Sequence, residues 1–315
     1  MKSILGYTWA FAILLHTGLA FAEKPPVDGA PAIAQATAAV EAARAKADAD
    51  PTRPVYHFRP PAQWMNDPNG PIFHDGYYHM FYQHNPYGDM WNHMHWGHAR
   101  SKNLVDWEMM PIALWPSKER GEQHCFSGCM TIAPNGDPIL LYTSIGHDLP
   151  EQWAARPKDA TWTTWEKHPA SPVLTEGLHG DTKIYEWRDP YVFKQGDATR
   201  LVLGGNLNQN GGGKAVVTAY TALNDSLTEW RYDGVLFTHP DADAKNIECP
   251  NFFPLGDRWT LIVSPHRTVE YFTGDLAEDG NTFDWKQRGI VDHGDYYAPN
   301  GCFDPQGRHI LWGWV

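Results

Sequence analysis

The chain is short of several things at once. Only four of its 315 residues are cysteine, so disulfides are not its main support. Positive charge is scarce too: 25 Lys and Arg against 37 Asp and Glu give a formal net charge of −12. That balance argues against nucleic acid or an anionic membrane surface as partner and fits a neutral ligand. Helix-like periodicity is almost missing after residue 50. His84, His93, His95 and His98 match no metal-ligand motif, and His95 and His98 fall on opposite faces of a strand. Neither a metal nor a cofactor is expected.

The one long apolar run lies at the start. Residues 1–22 carry Lys2, an apolar stretch and an Ala20-Phe21-Ala22 ending, the pattern of a cleaved secretory signal. An uncleaved anchor is the alternative. Cleavage, which we favour, predicts a secreted or periplasmic protein with no membrane attachment. Residues 23–53, rich in Ala with Pro25, Pro26, Pro31 and Pro51, predict a partly helical linker. Residues 54–315, with many of the 15 Trp of the chain, are predicted to form one large all-β domain.

What is abundant there is a repeat. Asp67 in Trp-Met-Asn-Asp-Pro-Asn-Gly, Asp189 in Trp-Arg-Asp-Pro-Tyr and Glu248 in Ile-Glu-Cys-Pro-Asn each precede a short apolar strand, a Gly turn and a second apolar strand, a hairpin signature. Two further copies, starting at Ser127 and Ala298, lack the acid. A second mark alternates with the first: Trp107, Trp165, Trp230 and Trp285 each follow a polar turn. Both series keep a period of about 50 to 60 residues, the length of a propeller blade. Five hairpin starts predict a five-bladed β-propeller, and equivalent innermost positions would aim Asp67, Asp189 and Glu248 at one end of the central channel. A pure turn role for Asp-Pro and Asn-Gly explains one copy, but less readily three acids at matched positions.

Converging carboxylates in an aromatic-lined pocket, without metal or cofactor, suit glycosidic bond cleavage. That reaction needs one ionised carboxylate and one protonated carboxyl on opposite sides of the scissile bond, because an oxocarbenium-like centre and a departing oxygen develop together. Of Trp64, Trp91 and Trp96, the first two are the better candidates to stack on a sugar face. If Asp67 and Asp189 are ionised, repulsion is expected to raise the pKa of Glu248 and keep it a proton donor. Cys249 either tunes that environment or is a plain buried thiol. Cys125 and Cys129 either pair or are two unrelated buried thiols.

Seven motifs in order from about Tyr56 to Val315 resemble glycoside hydrolase family 32, the invertases, inulinases and levanases: Trp-Met-Asn-Asp-Pro-Asn-Gly, Phe-Tyr-Gln-His-Asn-Pro, His-Trp-Gly-His-Ala-Arg-Ser with Leu-Val-Asp-Trp-Glu, Phe-Ser-Gly, Trp-Arg-Asp-Pro, Glu-Cys-Pro, and Tyr-Ala followed by Leu-Trp-Gly-Trp. The resemblance implies a five-bladed propeller and a retaining double displacement on β-fructofuranosides such as sucrose, inulin or levan. By similarity Asp67 is the nucleophile, Glu248 the general acid and then base, and Asp189, beside Arg188, steadies the transition state. The retaining pair would stand about 5 to 5.5 Å apart. Asn66, Gln83, Trp91, Phe126, Ser127 and Arg188 match positions that shape the fructose pocket.

Two departures stand out. Cys129 follows Phe-Ser-Gly where the family commonly has Ser, which puts one pocket contact in question. The family also continues into a C-terminal β-sandwich, whereas Val315 follows the fifth hairpin with no fifth Trp mark. The expectation is an incomplete last blade and an absent sandwich, through either a fragment or closure by Val55–Phe58. Competing functions are a five-bladed hydrolase of arabinose- or xylose-containing glycans, a sugar-binding propeller without catalysis, and a fructosyltransferase. Oligomeric state is not legible.

Overall fold

A computed structural model describes residues 28–207 and 213–315. The expected signal, residues 1–22, lies outside them. After Gln63 the regular elements among them are strands of antiparallel sheets, apart from two single turns of 3-10 helix.

Four sheets have four strands each, paired in sequence order. The first comprises β1 (Trp64–His74), β2 (Tyr77–Asn85), β3 (His95–Ser101) and β4 (Trp107–Leu114); the second β5 (His124–Ile132), β6 (Pro138–Ile145), β7 (Glu151–Pro157) and β8 (Trp165–Lys167). The third comprises β9 (Tyr185–Gln195), β10 (Ala198–Asn206), β11 (Ala215–Ala222) and β12 (Trp230–Thr238); the fourth β13 (Glu248–Leu255), β14 (Arg258–Ser264), β15 (Glu270–Leu276) and β16 (Phe283–Ile290). A fifth sheet has two strands, β17 (Tyr297–Phe303) and β18 (His309–Trp314). The first strands pack in a ring: β1 on β5, β5 on β9, β9 on β13, β13 on β17, and β17 back on β1. This is an all-β propeller with four complete blades and a two-stranded sheet in the remaining gap. Every strand among the described residues belongs to one of these sheets, and none forms a sandwich.

The repeat read from the sequence is therefore one blade. Trp107, Trp165 and Trp230 open the outermost strands of three sheets, and Trp285 lies in that of the fourth. The marks share a local device: Leu104, Trp162 and Leu227 adopt left-handed φ of 66°, 57° and 57°, and the Trp165 and Trp230 indoles donate to the carbonyls of Trp162 and Leu227. Between sheets the alternating apolar faces close on one another. Phe81, Trp96, Leu140, Tyr142 and Trp153 fill the first junction; Leu141, Leu203, Val217 and Phe252 belong to a core shared by the next three sheets. Each large side chain so buried contributes about 1.5–3 kcal/mol of transfer free energy.

The prefix forms one helix, α1 (Ala30–Asp48), with proline in its first turn, where the missing N–H costs nothing. It lies against β4, with Ala36 fully buried. A Cβ on Gly29 would strike the Trp115 ring. Closure by Val55–Phe58 is not what occurs: Val55 and Tyr56 are exposed and in no strand, while Phe58 packs on Tyr82 and Trp107 of the first sheet. The cysteine pairing also fails. Cys125 and Cys129 are buried free thiols in different cores, because a kink in β5 turns them toward different neighbours.

That kink recurs in all five inner strands. Asn66 and Asp67 together oppose Gln83; Phe126 and Ser127 oppose Thr143; Asp189 and Pro190 oppose Leu203; Cys249 and Pro250 oppose Val263; Ala298 and Pro299 oppose Gly313. Two residues against one is a β-bulge, which bends the strand and re-aims its side chains. Asp189, Cys249 and Ala298, each before a proline, take left-handed φ of 66°, 45° and 46°, strain that non-glycine residues bear mostly at functional sites. The proline in three of these pairs has no N–H to leave unpaired at the bulge.

Candidate active site

Residues in three of the bulges, and the residues just before the other two, Glu248 and Tyr297, meet at one cavity of about 380 Å³ lined by Trp64, Asn66, Asp67, Gln83, Trp91, Phe126, Arg188, Asp189, Glu248, Tyr297 and Trp314. Every residue expected at the site from sequence lines it except Ser127, which lies directly behind Asp67. The matched-position reading is corrected: with the bulges aligned, Glu248, Asp189 and Asp67 occupy three successive positions rather than one. Asp67 and Asp189 sit inside their bulges, whereas Glu248, like Tyr297, is the paired residue just before one.

Asp67 is wrapped by neutral donors. Asn66 Nδ2 donates to Oδ1 at 3.0 Å, and Ser127 Oγ and Gln83 Nε2 donate to Oδ2 at 2.5 and 3.4 Å. Gln83 Nε2 also reaches Ser127 Oγ at 2.5 Å, and the Trp64 indole fixes Asn66 from behind at 2.8 Å. Burial raises the Asp67 pKa above the usual aspartate value, the Ser127 hydrogen bond opposes this, and the Glu248 charge adds to it.

Asp189 takes its place through backbone contacts. Its own N–H donates to Thr143 Oγ1 at 2.9 Å, and its Oδ2 accepts the Cys249 N–H at 2.9 Å. Burial, against the pull of Arg188, pushes its carboxyl up to about 7. Cys249 Sγ stands 3.5 Å from Asp189 Oδ2 and 3.7 Å from Asp67 Oδ2. Burial and then the surrounding carboxylates raise its pKa well above the ordinary thiol value, so it remains a protonated donor between the two acids. Its partners are these aspartates rather than Glu248, its neighbour in sequence.

Glu248 is held by charged and acidic donors instead. Arg188 Nη2 donates to Oε1 at 2.6 Å, His266 Nε2 lies 3.3 Å from the same oxygen, and the Tyr297 hydroxyl donates to Oε2 at 2.7 Å. Burial opposes ionisation, but the hydrogen bond from His266 and the charge and hydrogen bond of Arg188 outweigh it and bring the carboxyl down to about 2. This corrects the expectation of a raised pKa. Repulsion from the two aspartates is the weaker effect, because Arg188, His266 and Tyr297 contact Glu248 directly. Arg188, expected beside Asp189 in the fructose pocket, is bound in the free site to Glu248 and to Glu186.

The aromatic candidates separate cleanly. Trp64 and Trp91 line the cavity, with Trp91 46% exposed and edge-on to Phe126. Trp96 is fully buried, its indole donating to the Phe126 carbonyl at 2.9 Å, so it holds a wall rather than a ligand. Cys129 is core and lines no part of the cavity, so its replacement of serine removes no pocket contact. Sequence reasoning missed His266 and the roles of Tyr297 and Trp314. The last two stand in the Tyr-Ala and Leu-Trp-Gly-Trp motifs of the fifth hairpin; His266, on the turn between β14 and β15, carries no repeat signal.

The family described as glycosyl hydrolases family 32 N-terminal domain matches residues 57–315. A β-fructofuranosidase of Arabidopsis thaliana, the insoluble isoenzyme CWINV1, is 31% identical over 299 residues, covering 84% of this chain and 50% of its own length. The β-fructofuranosidase BmSUC1 of Bombyx mori superposes with a TM-score of 0.78 at 30% identity, over 91% of this chain and 62% of that one. Fructan 1-exohydrolase IIa of Cichorium intybus gives 0.75 at 31%, over 84% and 54%. The chain spans about half the length of the curated relatives it matches. From Tyr56's neighbour His57 to its last residue, Val315, the chain belongs to glycosyl hydrolase family 32.

Proposed function

We propose that the protein is a retaining glycoside hydrolase that cleaves β-fructofuranosidic bonds in sucrose or fructans. The observation that carries this reading is Asp67 and Glu248 lining one small cavity from sheets two places apart in the ring, each with a different kind of partner. Asp67 attacks the anomeric carbon and forms a fructosyl ester. Glu248 protonates the departing oxygen, then takes the proton from the water that resolves the ester. Asp189 and Arg188 grip ring hydroxyls. Asn66, Gln83 and Ser127 hold the nucleophile's oxygens, and Trp64, Trp91 and Phe126 form apolar walls. The names of the relatives favour fructose over arabinose or xylose as the sugar transferred.

The sheet β17–β18 is read as the inner half of a fifth blade, because its bulge matches the other four. Residues 1–22 are read as an export signal, 23–53 as a connecting segment and 54–315 as the catalytic domain, which puts the protein outside the cytoplasm. N-terminal sequencing of exported protein checks the cleavage site.

Incubation with sucrose, inulin and levan, with products separated by chromatography, tests the activity. Fructose release is expected from at least one. In aqueous methanol, a methyl β-fructofuranoside is expected as the transfer product; the α anomer would overturn retention, and arabinose release from an arabinan would move the protein to the rival class.

A further inference from the structure

A general acid must hold a proton when the leaving oxygen departs, yet Glu248 in the free site is an ionised carboxylate saturated with donors. A neighbour that holds a proton can supply it. His266 Nε2 is 3.3 Å from Glu248 Oε1, with its side chain 47% exposed to water. Its backbone sits at a left-handed φ of 60°, uncommon for a residue other than glycine. The His266 N–H donates to the Tyr297 hydroxyl oxygen at 3.1 Å, and that hydroxyl donates to Glu248 Oε2 at 2.7 Å. One tyrosine thus fixes both the imidazole's backbone and the carboxylate it faces.

The charged and titratable groups around the imidazole are Glu248 on β13, Arg188 and Glu186 on β9, and Tyr297 on β17. Arg267, next in sequence, is turned away onto Asp241, Asp243 and Glu270. The carboxylate therefore dominates what the imidazole sees. Its hydrogen bond raises the His266 pKa above the ordinary histidine value, ahead of the opposing effect of burial.

We propose that His266 stores the proton that Glu248 delivers to the leaving group. Resting on the assignment of Glu248 as the acid, the cycle balances without a further reactant. As substrate displaces Arg188 from Oε1, the proton on His266 Nε2 passes to that oxygen. Glu248 then gives it to the glycosidic oxygen as the C–O bond to fructose breaks and the bond to Asp67 forms. In the second half, water loses a proton to Glu248 as it displaces Asp67, and that proton returns to His266. His266 touches no reacting atom, so it is a positioning residue for the proton.

The test is the pH dependence of kcat/KM for sucrose in His266→Gln and Glu248→Gln, with thermal unfolding as a check on folding and His266→Asn as the second variant. For His266→Gln we expect the alkaline limb to move at least one pH unit toward acid, a tenfold or larger loss near pH 7 that recovers as the pH is lowered. An unmoved alkaline limb in both His266 variants, or a loss equal at every pH, overturns the proposal. Undiminished turnover in Glu248→Gln instead overturns the assignment on which it rests.

Discussion

The two walls of the cavity solve one problem in opposite ways. On the wall built from the first two sheets, Asp67 is ringed by amide and hydroxyl donors that carry no charge, and burial leaves its pKa raised. On the wall built from the third, fourth and fifth, Glu248 is tied to a guanidinium, an imidazole and a phenol, and its pKa falls to about 2. The same ring of bulges delivers both carboxylates. What distinguishes them is the charge of their neighbours, so role follows from environment rather than from position in the repeat.

The sharpest way to break the comparison is to remove each carboxylate. Asp67→Asn is expected to lower kcat by roughly four orders of magnitude or more, since the proposed covalent route is lost. Glu248→Gln is expected to cost roughly two to four orders, less with a substrate whose leaving group needs no proton. A comparison of sucrose with an activated aryl fructoside measures this; an equal loss on both substrates would mean that Glu248 does more than donate a proton.

Milder changes address the donors alone. Ser127→Ala removes the short hydrogen bond to Asp67 and is expected to lower kcat/KM about 10- to 100-fold. With that donor gone the Asp67 pKa rises further, so the acidic limb of the profile moves to higher pH. Tyr297→Phe removes a donor from Glu248, raises that carboxyl and costs roughly tenfold. It leaves the acidic limb in place, and a shift there would show that the walls are not independent.

The smallest expected effect is on stability. Asp189 is up at about 7 in the fold against about 3.9 in an unfolded chain. Below the lower value both states are protonated and nothing is lost. Between the two, the unfolded chain ionises first and stability falls as pH rises. Asp189→Asn is therefore expected to raise Tm by a few degrees at pH 7.5 and to leave it nearly unchanged at pH 4, while activity drops at both. A Tm gain equal at the two pH values would point to packing instead.

Much of this architecture was legible in the residues because it is periodic. Hairpins at Asp67, Ser127, Asp189, Glu248 and Ala298 and tryptophans at 107, 165, 230 and 285 recur with the blade, and strand alternation does the rest. The bulges were not legible, since a two-against-one pairing shows only once the partner strand is known. For that reason Glu248 seemed to share the position of Asp67 when it stands just before its bulge. The low pKa of Glu248 was hidden for a related cause: Arg188 reads in sequence as the neighbour of Asp189, but its side chain crosses to another blade. His266 sits on a turn outside the repeat, so periodicity carries no information about it.

The five kinked pairs are, in effect, interchangeable sockets on a fixed rim. Three of them, Asn66 with Asp67, Phe126 with Ser127 and Asp189 with Pro190, put a side chain into the cavity wall, whereas Cys249 and Ala298 are buried away from it. Ala298 is buried at a left-handed φ of 46°, so a larger side chain fitted there would have to displace its neighbours, and the open places for a new contact are those three pairs.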